Sequence, residues 1–149
     1  MVRHCLALGT GLLFAGSLLA ADGAALYAAH CQACHQPGGV GAPGIAPPLA
    51  GHVGRFAASE AGRQHVLRVP LTGMVGSITV DGVRYSGNMP SFASLSDAEL
   101  QAVLKHVLGT LDGVADLAWL TPARVAEMRA AGGSPNDTHK QRARLATGG

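Results

Sequence analysis

The chain has 149 residues, with 11 lysines and arginines against 9 aspartates and glutamates and a formal net charge of +2. That length suits one domain and is too short for two comfortable ones. A balance so close to neutral gives no sign of nucleic-acid binding and no strongly basic ring for steering an acidic partner at long range.

Residues 1–21 read as a secretory leader. Arg3 and His4 form a short basic start, Leu6 to Ala20 an apolar run broken by Gly9, Gly11 and Gly16, and small residues at Ala20-Ala21 mark the cleavage point. The run is shorter than the ~20 residues a spanning helix needs, so an uncleaved anchor is the weaker alternative. Cys5 lies within the run and is read as part of the leader. The mature chain then begins near Asp22 in the periplasm, keeps Cys31 and Cys34, and has ten basic residues (11 − 1, for Arg3) against nine acidic ones. Between Asp22 and Ala131 its only lysine is Lys105.

Asp22 is placed to cap a helix running to the cysteines. Gly23 and Tyr27, four apart, share one face, the glycine leaving room for another helix to approach. The helix leads into Cys31-Gln32-Ala33-Cys34-His35. Two thiols three residues apart can each add to a vinyl group of one haem, and the next histidine is then held beneath the iron. A disulfide is one alternative in an exported protein. A thioredoxin-like pair should follow a strand, whereas a helix precedes Cys31. A zinc site would need a second ligand pair at matching spacing, and none exists.

Residues 36–48 are rich in Gly and Pro and read as an irregular loop, continued by turns from Leu49 to Arg55. Ser59 caps a helix that Pro70 kinks or ends. Ile78-Thr79-Val80 and Val83-Arg84-Tyr85 flank Asp81-Gly82, the dipeptide of a tight type I′ hairpin. Gly87-Asn88-Met89-Pro90 reads as a loop, because Pro90 disfavours helix at Met89. Ser96-x-x-Glu99 is a capping box for a helix with an apolar stripe at Leu100, Val103, Leu104, Val107 and Leu108, and Gly109 is its expected stop. Thr121-Pro122 opens a further short helix. From Gly132 the composition turns to Gly, Ser, Pro, Asn and basic residues and predicts a mobile tail. The expected organisation is a leader (1–21), a main domain (22–110), a helical extension (111–131) and a flexible basic tail (132–149).

From Asp22 to Gly109 the chain resembles a class I monohaem cytochrome c of the bacterial periplasmic kind that serves dehydrogenases and oxidases. The resemblance rests on the order of Cys31-x-x-Cys34-His35, Ala46-Pro47-Pro48-Leu49, Gly87-x-Met89-Pro90 and the capped final helix. It implies an all-α fold whose first and last helices cross around one covalent haem c. Here a small β-hairpin and a C-terminal extension are added, features shared with cytochromes of larger complexes.

His35 is the fifth iron ligand by attachment. For the sixth, Met89 and Met74 are the thioether candidates and His30, His52, His65 and His106 the imidazole ones. Met89 is favoured by its loop, stiffened by Pro90 and anchored by the next helix, and the resemblance points to the same residue. His52 is the runner-up, and Met74 is expected to pack on the haem edge or in the core. The resemblance also implies that the Pro47 carbonyl accepts a hydrogen bond from His35 and that Arg55 binds a haem propionate. Arg84 and Tyr85 are further propionate candidates, and Trp119 is expected to pin the extension.

With both axial positions filled, no site is left for substrate. The expected function is one-electron transfer to and from a redox protein, with no enzymatic activity of the chain itself. The alternatives are an obligate subunit of a dehydrogenase complex, docked through 111–131, and a haem sensor or enzyme with a displaceable sixth ligand.

Overall fold

The computed structural model describes residues 21–147; the expected leader, apart from Ala21, lies outside the described residues. Helix α1 (Gly23–His30) starts where the Asp22 carboxylate accepts from the backbone N–H groups of Ala24 and Ala25 at 3.0 and 3.2 Å. A single turn, α2 (Gln32–His35), carries the rest of the cysteine motif. The Gly/Pro stretch that follows holds only a short 3-10 turn at Pro37–Gly39 and an isolated bridge between Ala42 and Ala46.

A second 3-10 turn (Gly54–Ala58) leads into α3 (Glu60–Thr72), capped by the Ser59 hydroxyl. Pro70 does not stop α3, which continues for two further residues. Pro70 has no N–H for the Val66 carbonyl, yet that one missing bond does not break the helix. The last turn of α3 is still closed by the Thr72 hydroxyl on the Arg68 carbonyl and the Gly73 N–H on the Val69 carbonyl. The last carbonyls are taken by the next segment: Phe92 N–H donates to Pro70 at 2.8 Å and the Ser91 hydroxyl to Leu71 at 2.6 Å.

Strands β1 (Met74–Val80) and β2 (Val83–Met89) pair antiparallel across Asp81-Gly82, both at positive φ (50° and 78°), as a type I′ turn requires. The hairpin is longer than the sequence predicts. Its register runs to Met74 opposite Met89, so Met89 ends a strand instead of lying in a loop. Pro90, with no N–H to donate, closes the ladder.

Helix α4 (Asp97–Lys105) begins with the expected capping box of Ser96 and Glu99. Gly109 does not end it. The chain continues in wider π-type turns from His106 to Leu111, and Val114 N–H then takes the Leu108 carbonyl at 2.9 Å. Thr121 and Pro122 open α5 (Pro122–Ala131) as expected.

The composition of 132–149 predicts a mobile tail, but Pro135–Thr147 forms helix α6, packed on α3 and β1. Its start is itself a capping box: Ser134 N–H donates to Asp137 at 3.0 Å, and Asp137 N–H returns to the Ser134 hydroxyl at 3.2 Å. It docks through polar contacts, Thr138 to Thr72 at 2.6 Å and His139 Nε2 to the Ser77 carbonyl at 2.8 Å. An apolar stripe was therefore not needed to hold it.

The core lies between α1, α3 and α4. Tyr27, Val66, Leu67, Leu71, Leu100, Val103, Leu104, Val107 and Leu108 form one cluster, which Leu120 and Val125 of the extension join. Helix α1 meets α4 where Gly23 lies against the Ala102 carbonyl, a contact that a Cβ would block.

Candidate haem site

The loop after α2, the turn 54–58, α3 and one face of the hairpin enclose a cleft of about 980 Å³, counting its mouth. Cys31, His35, Pro47, Met74, Ile78, Met89 and Phe92 all line it. Its walls are otherwise almost wholly apolar and include no carboxylate. That is the chemistry of a large, flat, apolar ligand with a few fixed polar anchors.

His35 is buried on the cleft wall, and its Nδ1 lies 2.9 Å from the Pro47 carbonyl. A carbonyl can only accept, so Nδ1 carries the proton and Nε2 keeps its lone pair. Burial lowers the pKa of His35, the Pro47 bond opposing. The neutral ring is the form a metal requires. Gly41 makes this loop possible. At φ 73° it donates to the His35 carbonyl at 2.8 Å, and a Cβ there would lie 2.5 Å from Pro48 N.

Both cysteines are free, Cys31 half-buried and Cys34 exposed at the mouth. Burial, and then the neighbouring Cys34, push the Cys31 thiol up to about 11. A helix and not a strand leads into the motif, so the thioredoxin-like alternative lacks its setting. Among the described residues no three His, Cys, Asp or Glu side chains gather to hold a metal ion.

Met89 and Met74 are direct cross-strand partners, so both thioethers leave the hairpin on one face, the cleft side. Gly73 packs against the Met89 carbonyl, and the Ser91 and Phe92 bonds to the end of α3 hold the segment beyond it. The Met89 backbone is thus clamped from both sides.

The histidines separate clearly. His52 has both ring nitrogens engaged, Nδ1 with the Ala50 carbonyl at 2.7 Å and Nε2 with Asp81 at 2.6 Å. His30 is exposed and meets the Phe92 ring edge-on. His106 lies against Tyr27 at 5.4 Å. His65 sits on the cleft wall, only 2% exposed. Burial, reinforced by Arg142, lowers its pKa to about 4. Gln141 lies near enough to pull the other way, yet neither His65 Nδ1 nor Gln141 Oε1 has a hydrogen-bond partner.

Arg55 stands over the Phe56 ring at 4.9 Å and is not on the cleft wall. Arg84 donates to Ser77 at 3.0 Å, while Tyr85 lines the cleft near its mouth. Trp119 lies away from the cleft, beneath Arg63 at 5.2 Å, and packs the extension on the core. Sequence reasoning missed Arg142, whose side chain lies on the cleft wall; a basic residue in an apparent tail carries no such signal.

A family model described as cytochrome c oxidase, cbb3-type, subunit III, matches residues 19–107. The chain is 43% identical over 138 residues to a cytochrome c-552 of Thermus thermophilus, covering 90% of this chain and 93% of that protein. A second Thermus thermophilus cytochrome c-552 is 42% identical over 128 residues, covering 84% of this chain and 97% of the relative. Neutral imidazole, paired thiols and an apolar cleft suit the covalent haem c that such chains carry. The chain belongs to the cytochrome c family, as a monohaem class I cytochrome c that transfers electrons.

Proposed function

We propose that this chain is an exported, periplasmic one-electron carrier, not an enzyme, with haem c attached at Cys31 and Cys34 and its iron held between His35 and Met89. One observation carries the reading: His35 and Met89 line the same apolar cleft as Cys31, the His35 ring held by the Pro47 carbonyl and the Met89 backbone by its neighbours. Bound haem supplies reversible ferrous–ferric cycling, and a thioether ligand raises its potential relative to two imidazoles. The chain's residues do the rest. Pro47 fixes the His35 ring, Gly73 and Ser91 fix the Met89 segment, and the apolar walls exclude water, so that ligation stays constant during transfer. Arg55 is assigned to a propionate. Helices α1 and α4, in contact at Gly23, take the place of the family's crossed pair.

Met89 is preferred to Met74 because its backbone is held on both sides, and to His52 because both nitrogens of that ring are occupied. Docking of the redox partner is assigned to an apolar patch. Val40 and Ile45, 66% and 69% exposed, lie on the loop after the motif, and Ile45 borders the cleft mouth near Cys34. No described helix is long and apolar enough to cross a membrane.

The test is the absorption spectrum of exported protein beside Met89→Ala and Met74→Ala. Wild type and Met74→Ala are expected to keep a low-spin ferric spectrum with the far-red methionine–iron band. Met89→Ala is expected to lose the band and to bind cyanide rapidly. A low-spin spectrum surviving in Met89→Ala would refute the ligand assignment.

A further inference from the structure

Around Phe56, on the cleft wall, lies a cationic cluster that the axial ligands do not use. Arg55 and Arg142 come from different elements yet sit over one ring, their Cζ atoms 4.9 and 5.3 Å from the Phe56 centroid. None of the three ion pairs among the described residues involves either arginine, whereas Arg124 and Arg129 are neutralised by Glu60 and Asp97. His65 meets the same Phe56 ring edge-on at 5.2 Å, and its buried Nδ1 is unpartnered. His65 and Arg142 both lie on the cleft wall.

Two guanidiniums sharing one ring, beside a buried imidazole nitrogen without a partner, are unfavourable when nothing answers them. Burial, and then the neighbouring Arg55, lower the pKa of Arg142. A carboxylate would answer all of these at once. It accepts from the Arg142 fork and from Nδ1–H of a neutral imidazole, and it removes the uncompensated charge. The walls contain no protein carboxylate, so it must come from the ligand. Haem bears two carboxylates, on the edge away from its vinyl groups.

We propose that Arg142 and His65 bind a propionate carboxylate of the haem, so that helix α6 closes on the prosthetic group through its acid substituent. This rests on the haem reading above and deepens it. The segment 135–147 becomes part of the binding site, adding a contact with the ligand to the polar contacts that pack it on α3 and β1.

The test uses the holoprotein and resonance Raman spectroscopy of the propionate-bending band, which reports hydrogen bonding to that group. Arg142→Gln and His65→Phe are each expected to shift the band. His65→Asn, which keeps a donor near Nδ1, is expected to restore most of it, and Lys140→Gln, an exposed charge change on the same helix, to leave it in place. Should Arg142→Gln yield no folded protein, Arg142→Lys keeps the charge, loses the fork and is expected to give a smaller shift. Retained pigment in acidified acetone with the band unmoved in the Arg142 and His65 variants would overturn this proposal alone. Loss of pigment to that solvent would overturn the haem reading together with it.

Discussion

Gly73 is the position where backbone conformation and the cleft meet, and Gly73→Ala tests that meeting. The residue ends α3 at φ 74°, ψ −174°, a region populated essentially by glycine alone. Forcing alanine into it costs about 1–3 kcal/mol. A Cβ there would also strike the Met89 carbonyl and lie 3.1 Å from Pro90 C and Ser91 N, all backbone atoms with no flexible tip to swing aside. The segment cannot retreat without breaking the Ser91 and Phe92 bonds to α3, at 2.6 and 2.8 Å. At about 2–4 °C per kcal/mol for a chain of this size, the backbone alone lowers Tm by roughly 2–12 °C. The displacement of Met89 adds to that. The control is Gly82→Ala, also at positive φ (78°) but with open space where its Cβ would go, costing about 1–2 kcal/mol. Thermal unfolding by circular dichroism and the amplitude of the far-red methionine–iron band, read together, separate strain from displacement. Both variants are expected to lose Tm, and only Gly73→Ala the band. A Gly73→Ala protein with wild-type Tm and band, or a Gly82→Ala protein that loses the band equally, would refute the reasoning.

Two other perturbations probe the scaffold. Both nitrogens of His52 face acceptors, so the protonated ring satisfies them best; the Asp81 carboxylate, and then the Ala50 carbonyl, raise its pKa. A raised folded value means that the pair stabilises the fold fully below the unfolded pKa of about 6.5. The contribution is lost as pH rises through the folded pKa. Asp81→Asn keeps the turn and is expected to lower the His52 pKa in an NMR titration. It should remove up to about 1 kcal/mol of stability at acid pH and nothing at pH 9; equal losses at both would contradict the assignment. Gly23→Val places a Cβ against the Ala102 carbonyl and is expected to destabilise the contact of α1 with α4 by about 1–3 kcal/mol. The urea midpoint measures this, and an unchanged midpoint would show that the helices do not depend on that approach.

Much of the scaffold was legible because its signals are local. Asp22, Ser59, Ser96 and Thr121 each satisfy the first N–H groups of a helix as their side chains predict. Asp81-Gly82 forms its turn because both residues reach positive φ cheaply. Composition misled where capping chemistry was passed over. Ser134-x-x-Asp137 is a helix start hidden in a stretch whose Gly, Ser and Pro content suggests a loop, and α6 is held by polar contacts that leave no apolar period to find. Gly109 was an unreliable stop because a glycine ends a helix by turning left-handed, and Gly109 does not take a positive φ.

For the site, chain order brought Cys31, Cys34, His35 and Met89 forward as candidates, and the resemblance added Pro47. Sequence by itself determined those residue types, the helix caps and the hairpin turn, all of which depend on atoms a few positions apart. Only the tertiary structure decided that Met74 faces Met89 across a strand pair, that His52 is occupied by Asp81, and that His65 and Arg142 share one wall of the cleft. Those partners are 15 to 77 positions apart. Their proximity arises from the packing of α3, the hairpin and α6, which no local pattern of side chains encodes.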